Sequence, residues 1–350
     1  MIPQLKGVPL KNIEINNDRP NPLWGPFLRP GTKTFLFGTH KSGKTYFSLN
    51  LCISIAAGKP FLSYPVDRAT TVVYTDFELS GEEMKERTYL IIDEMEVEGE
   101  DQREEIRTAV NNNFYYYGFS DKEFFGSQGE LSENGKKLFE YAREINAELV
   151  VIDGWQYAIR MKMKDDFLWN VYKQLNKQLN KELDTFALLI IHHADKKSAK
   201  YDGSFGSYSM KGLSSQGDWA DTVMILDKSS DKSKERQKTL RFVSRYADEP
   251  DLELYFDHPC FKLASESNKV EEAKKLMIKI LLNHNKRCDR SELLRAVKDK
   301  IGSDWVFKKA LSDLEKNGEV TVEQKENAKG NKKEVFYIGE ERLLNVVGQK

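Results

Sequence analysis

Short apolar runs recur along the first two-thirds of the chain, each bounded by polar or glycine-bearing segments. TKTFLF (32–37), TVVYT (71–75), FYYYG (114–118), LVVID (149–153) and FALLIIHH (186–193) are too short for helices and read as buried strands. Between them lie stretches with helical character: TYFSLNLCISIAA (45–57), SGEEMKERTYLIIDEM (80–95), SENGKKLFEYAREIN (132–146) and a segment near 166–184. Strands alternating with helices predict an α/β layer built on a mostly parallel sheet, which TVMILD (222–227), KTLRFVS (238–244) and LELYFD (252–257) would extend. Ahead of this pattern, six prolines (Pro3, Pro9, Pro20, Pro22, Pro26 and Pro30) interrupt residues 1–30, which are expected to be irregular.

After SESNK (265–269) the regime changes. Three short helical patterns, 271–284, 290–300 and 304–318, precede EVTVEQ (319–324), a polar turn and EVFYI (334–338). Three helices and a β-hairpin describe a winged helix-turn-helix. The expected organisation is therefore an irregular segment 1–30, an α/β domain 31–264, a winged-helix domain 265–341 and a tail 342–350.

Composition changes this picture little. With 39% hydrophobic and 31% charged residues the chain reads as globular, and its formal charge is −1. The charge is uneven: from Lys269 onward 19 Lys and Arg stand against 14 Asp and Glu, a net of +5 on a body of −6. A basic C-terminal part is a feature of nucleic-acid-facing modules, although winged helices also dock proteins. Cys52, Cys260 and Cys288 are far apart and form neither a disulfide framework nor a zinc-ligand spacing. MIPQLKGVPLKN lacks a signal-peptide pattern, and no apolar run approaches the roughly 20 residues that span a bilayer. The expectation is a cytoplasmic protein without a membrane partner.

The sharpest chemical signal is GTHKSGKT (38–45), which fits G-x-x-x-x-G-K-[ST] with a strand before it and a helix after it. Gly38 and Gly43 let the backbone turn tightly, so that the N–H groups of Thr39, His40, Lys41, Ser42 and Gly43 and the helix start at Lys44, Thr45 and Tyr46 can cradle phosphates. Lys44 is assigned to the β- and γ-phosphates and Thr45 to Mg²⁺, which makes ATP and Mg²⁺ the expected ligands. Asp153, ending LVVID, is the expected second metal-side residue; its bland alternative is a cap on the next helix.

Gly154 follows Asp153, where many ATPases carry a water-orienting glutamate. The C-terminal ends of parallel strands share one crevice, so Asp76 and Glu78, at the end of TVVYT, would open toward the same site. Glu78 is the candidate general base, against the alternative that it only helps start the helix at Ser80. His192 and His193 end another apolar strand and would face the crevice, where an imidazole can sense a γ-phosphate or the attacking water.

Taken together, LWGPFLRPGTKTFLFGTHKSGKT (23–45), TDFELSGEEMKERT (75–88), LVVIDGW (149–155), LLIIHHADKK (188–197) and MKGLSSQGDWADTVMIL (210–226) resemble the RepA-like hexameric replicative helicases. The resemblance covers most of residues 20–260. It implies a RecA-like P-loop NTPase core, a homo-hexameric ring and ATP-driven action on single-stranded DNA in the ring channel, with Glu78 as catalytic glutamate and His192/His193 as the γ-phosphate-sensing pair. The family's Arg-Gly-Ser-Ser segment, whose arginine reaches a neighbouring subunit's phosphates, is replaced by Lys211-Gly212-Leu213-Ser214. Lysine lacks the bidentate fork, which leaves Lys211, Arg241 and Arg245 as alternative trans cations. For DNA, Lys196, Lys197 and Lys200 lie in a Ser/Gly/Lys-rich loop (195–217); Lys308 and Lys309 lie on the expected recognition helix, and Lys332 and Lys333 at the wing, where duplex contact is expected. Beside the motor stand two other readings: an ATP-regulated DNA-binding switch in recombination or replication, and a transcription regulator, neither of which unwinds.

Overall fold

The computed structural model describes residues 9–10, 21–97, 99–119, 122–160, 165–179, 186–193, 214–228, 236–284, 287–301, 304–326 and 332–338. In chain order the first part holds β1 (Lys33–Gly38), α1 (Lys44–Ala57), β2 (Val72–Asp76), α2 (Gly81–Glu94), α3 (Glu100–Asn113), β3 (Phe114–Gly118), α4 (Glu133–Glu144), β4 (Leu149–Asp153), α5 (Trp155–Ala158), α6 (Asp165–Leu179), β5 (Ala187–His193), α7 (Ser214–Trp219), β6 (Thr222–Lys228), β7 (Gln237–Ser244), β8 (Leu252–Asp257) and β9 (Cys260–Leu263). The second part holds α8 (Ala264–Asn283), β10 (Arg287–Asp289), α9 (Arg290–Ile301), α10 (Asp304–Lys316), β11 (Val320–Glu326) and β12 (Lys332–Ile338).

The first nine strands form one sheet in the order β3-β2-β4-β5-β1-β6-β7-β8-β9. From β3 to β6 every pairing is parallel, and from β6 to β9 every pairing is antiparallel. The central strands β2, β4 and β5 are apolar along almost their whole length because both sheet faces are covered. Alternate side chains feed two cores. Leu36, Tyr74, Val151 and Leu189 pack with α1, α2 and α3 on one face; Phe35, Val73, Ile152 and Ile190 pack with α4, α5 and α6 on the other. The result is a mostly parallel sheet flanked by helices, as the pattern of apolar runs predicts.

Three features were not legible in the pattern. Helix α3 buries only Ile106 and Val110 and is otherwise polar, too thin an apolar stripe to stand out. The four-residue β9 runs directly into α8, which begins at Ala264, so SESNK lies inside a helix whose pattern the sequence marks only from 271. Finally, the irregular N-terminal part contributes to the core. Trp24 and Phe27 are fully buried, Trp24 Nε1 donates to the Phe61 carbonyl at 2.9 Å, and Phe27 stacks on Phe242 at 3.9 Å.

The C-terminal elements have their own apolar core of Val270, Met277, Leu281, Leu293, Phe307, Leu311 and Phe336, and their strands form a separate antiparallel sheet, β10-β12-β11. No helix among the described residues is long and apolar enough to cross a membrane.

Replacing Trp24 by Ala removes a fully buried ring and one of two hydrogen bonds to the Phe61 carbonyl, which keeps the one from Tyr64 N–H. The expected loss is about 3–5 kcal/mol of unfolding free energy, read by denaturant titration, whereas Trp24→Phe is expected to cost only about 1–2 kcal/mol.

Candidate active site

The turn between β1 and α1 is built by backbone geometry. Gly43 caps α1 with φ of 97°, in the left-handed region where a side chain is strained, and Lys41 is also left-handed at 60°. This winds 39–43 so that α1 begins at Lys44 with its free N–H groups facing the end of the sheet. Lys44 is buried, and its ammonium donates to the carbonyls of Gly38 and Thr39 and to His193 Nδ1, each at 2.9 Å. Donation by an ammonium requires that this imidazole nitrogen carry no proton. His193 is therefore neutral, and burial and the nearby Lys44 charge push its pKa down to about 4. Burial likewise lowers Lys44 to about 8; Asp153 and Glu78 pull it back up, while Lys228 pushes it down.

The two histidines, equivalent by sequence, part ways in space. His193 faces Lys44 and lies 5.7 Å from the His40 ring. His192 points to the other sheet face, buried 5.5 Å from the Phe37 ring, and its Nδ1 has no hydrogen-bond partner among the described residues. Burial pushes His192 down to about 3.

Strand β5 separates β1 from β4, so Asp153 approaches the loop across a strand rather than from the adjacent one. Its carboxylate accepts from Tyr74 Oη at 2.7 Å and from the Thr45 hydroxyl. Tyr74 Oη also pairs with Ser48 Oγ at 2.7 Å, so α1, β2 and β4 are joined by one buried chain of hydrogen bonds. Burial, with the nearby Asp76 charge, raises Asp153 to about 7. Asp76 and Asp153 are register partners on adjacent parallel strands, and burial raises Asp76 as well. A site with two buried carboxyls and a hydroxyl suits a hard divalent ion.

The segment after β2 divides its labour residue by residue. Asp76 turns inward, and its Oδ1 accepts the N–H groups of Glu78 at 2.7 Å and Leu79 at 2.5 Å. Phe77 packs on Phe119 and Phe124 on the opposite face. Helix α2 is started by Ser80 and Glu83 in a reciprocal capping box, without Glu78. The Glu78 carboxylate is exposed and makes no hydrogen bond among the described residues. The helix-start role belongs to its neighbours, and Glu78 lies near enough to Lys44 for its charge to act there. Gly154 has its own reason: it caps α5 with φ of 85°, and a Cβ there would meet Tyr157 Cδ2 at 3.3 Å.

One group at this edge, Lys228, is not marked by the sequence pattern, and a second, Tyr46, is placed at the helix start by the motif but without its surroundings. Lys228, at the end of β6, donates to the His40 carbonyl at 2.9 Å and brings a second cation to the loop. Tyr46, just past Thr45, is bracketed by His258 at 4.8 Å, Phe256 at 5.7 Å and the Arg87 guanidinium at 5.6 Å. Asn50 fastens that hairpin to α1: its Nδ2 donates to the Pro259 carbonyl at 3.0 Å and its Oδ1 accepts from Phe261 N.

The remaining candidates are dispersed. Arg241 on β7 pairs with Asp227 at 3.3 Å and Asp251 at 3.6 Å, and Arg245 sits at the far end of the sheet with Asp221 at 3.7 Å. Lys309 pairs with Asp313 at 3.2 Å and with Asp257 of β8 at 3.6 Å, which turns it toward the first sheet; Lys308 is exposed. Lys196, Lys197, Lys200 and Lys211 lie outside the described residues, as do the side chains of Lys332 and Lys333.

Against known proteins, the chain matches a family described as an AAA domain over residues 3–199. No curated protein matches it.

An unfolded Asp153 titrates near 3.8 and the folded one near 7. The folded state therefore holds an extra proton between these values, and stability from this group is present at pH 4 and lost as pH rises through 7. With chelator and without nucleotide, Asp153→Asn is expected to be more stable than wild type at pH 8, by on the order of 2–4 kcal/mol, with the gap closing toward pH 4 in thermal or denaturant unfolding.

Proposed function

Because the chain belongs to the AAA-domain family of P-loop ATPases, we propose that it is an ATP-driven DNA motor, a RepA-like replicative helicase or translocase of a mobile element or virus. The observation that carries the catalytic part is the placement of Glu78: unbonded and exposed after β2, next to the strand of Asp153, with Asp76 fixing its backbone. With Gly154 beyond Asp153, Glu78 is the carboxylate at this edge suited to act on a water.

In this mechanism the β- and γ-phosphates of ATP lie on the amides of 39–45 and against Lys44, and their charge restores the ammonium that burial weakens. Thr45 and Asp153 would hold Mg²⁺, which when bound supplies positive charge to the phosphoryl oxygens. Glu78 takes a proton from the water as its oxygen bonds to the γ-phosphorus; the bond to the β–γ bridging oxygen breaks, leaving ADP and phosphate. His193 shares Lys44 with the incoming phosphate and so registers whether the site is filled. Lys211, Arg241 or Arg245 of a neighbouring subunit would complete the charge, which calls for a head-to-tail ring, a hexamer by family resemblance. The C-terminal elements are read as a winged helix with Lys308 among its DNA-facing residues.

A second reading, an ATP-regulated DNA-binding switch without unwinding, draws on the Lys309–Asp257 pair. It ties α10 to the hairpin that flanks Tyr46, so nucleotide and DNA surfaces share a contact.

Glu78→Gln is expected to lower ATP turnover by about 10²–10⁴-fold with ATP affinity retained, checked by steady-state hydrolysis and nucleotide titration. Wild-type turnover in this variant would remove Glu78 from the mechanism. Strand displacement by the wild-type protein separates motor from switch.

A further inference from the structure

Helix α6 buries Leu168, Val171, Tyr172 and Leu175 against the sheet and leaves a different stripe outside. Trp169, Lys173, Asn176 and Lys177 follow one another at helical spacing along it. Trp169 is 71% exposed, unusual for the largest apolar side chain on a helix whose inner face is already filled. Beside the stripe, Trp219 of α7 stacks on Tyr172 with ring centres 4.7 Å apart and planes 15° from parallel, and its Nε1 donates to Asn176 Oδ1 at 3.1 Å. These side chains line an open groove of about 430 Å³.

Charge decides what fits there. Lys33 lies 5.6 Å from the Trp219 ring, but its ammonium is neutralised by Asp221 at 2.8 Å. Lys173 and Lys177 are exposed and have no carboxylate partner among the described residues. The groove thus has an aromatic floor, one projecting indole and a rim with two positive charges that no described carboxylate meets. An apolar protein segment would answer the floor and leave the lysines unmatched. A duplex would answer the lysines and hide its bases from the indole. A single strand answers both, since its bases present flat faces and its backbone carries the negative charge.

We propose that this groove binds single-stranded nucleic acid, with a base stacked on Trp169 and phosphates against Lys173 and Lys177. The proposal rests on the reading of the chain as a DNA-acting ATPase and gives that reading a surface on the sheet face opposite α1. Helix α6 follows Asp153 in the chain with α5 as the one described element between the strand-binding face and the metal-side carboxylate.

The test uses the full chain and a fluorescent oligothymidylate, followed by anisotropy over a range of salt. Trp169→Ala is expected to weaken binding about 5- to 150-fold, Trp169→Phe to restore most of it, and DNA-independent ATP turnover to stay unchanged. Lys173→Glu combined with Lys177→Glu is expected to reduce the slope of log affinity against log salt by about 1.4. Unchanged affinity in Trp169→Ala overturns the groove while leaving the DNA reading intact. If that variant instead alters the assembly's mass at unchanged DNA affinity, the groove is a subunit contact and the proposal fails. A wild-type protein that does not bind the oligothymidylate at all defeats the DNA reading and the groove together.

Discussion

Everything at the functional edge depends on opposite charges held out of water without being allowed to neutralise each other. Lys44 uses its ammonium on two carbonyls and His193, while Asp153 uses its carboxylate on Tyr74 and Thr45. The strand β5 stands between the two strands that lead to them. Burial consequently pulls both groups toward their neutral forms, Lys44 downward and Asp153 upward. A site in that condition favours a ligand that brings an anion to the lysine and a cation to the aspartate at once. Nucleotide triphosphate with a divalent metal meets that description, and neither half does so alone.

The backbone around the edge is shaped to keep this arrangement from collapsing. Asp76 anchors the turn after β2 from inside, Phe77 anchors it from the opposite face, and Ser80 with Glu83 closes the helix start. Between these fixed points Glu78 is the residue with nothing to hold. The chain Ser48–Tyr74–Asp153 does similar work on the other side, fixing the carboxylate against α1 so that its orientation does not depend on a bound ion.

Much of this was legible from sequence, for physical reasons that also mark where legibility stopped. A phosphate loop demands particular residues at fixed spacing, and strands buried on both faces stand out as apolar runs, so β1, β2, β4, β5 and the GTHKSGKT loop could be read directly. Tyr74 could not: within TVVYT it is one more strand aromatic, and only the register of β2 on β4 sets it against Asp153. The same holds for Lys228, which reaches the loop because β6 runs parallel beside β1. Counting positive charges was a poor guide on the C-terminal helices, since Lys309 turns out to face Asp313 and Asp257. Lys173 and Lys177 drew no notice because their meaning lies in Trp219, more than forty positions away.

The direct passage from β9 into α8 has a mechanical consequence. With no slack at Leu263–Ala264, a 20-residue helix grows rigidly from a hairpin that Asn50 bolts beside the phosphate loop. Such a helix is about 30 Å long, so a rocking of about 5° at its root carries its far end through about 2.6 Å. That is a lever arm: a small settling of the hairpin beside the phosphate loop would arrive at the C-terminal elements as a displacement comparable to a hydrogen-bond length.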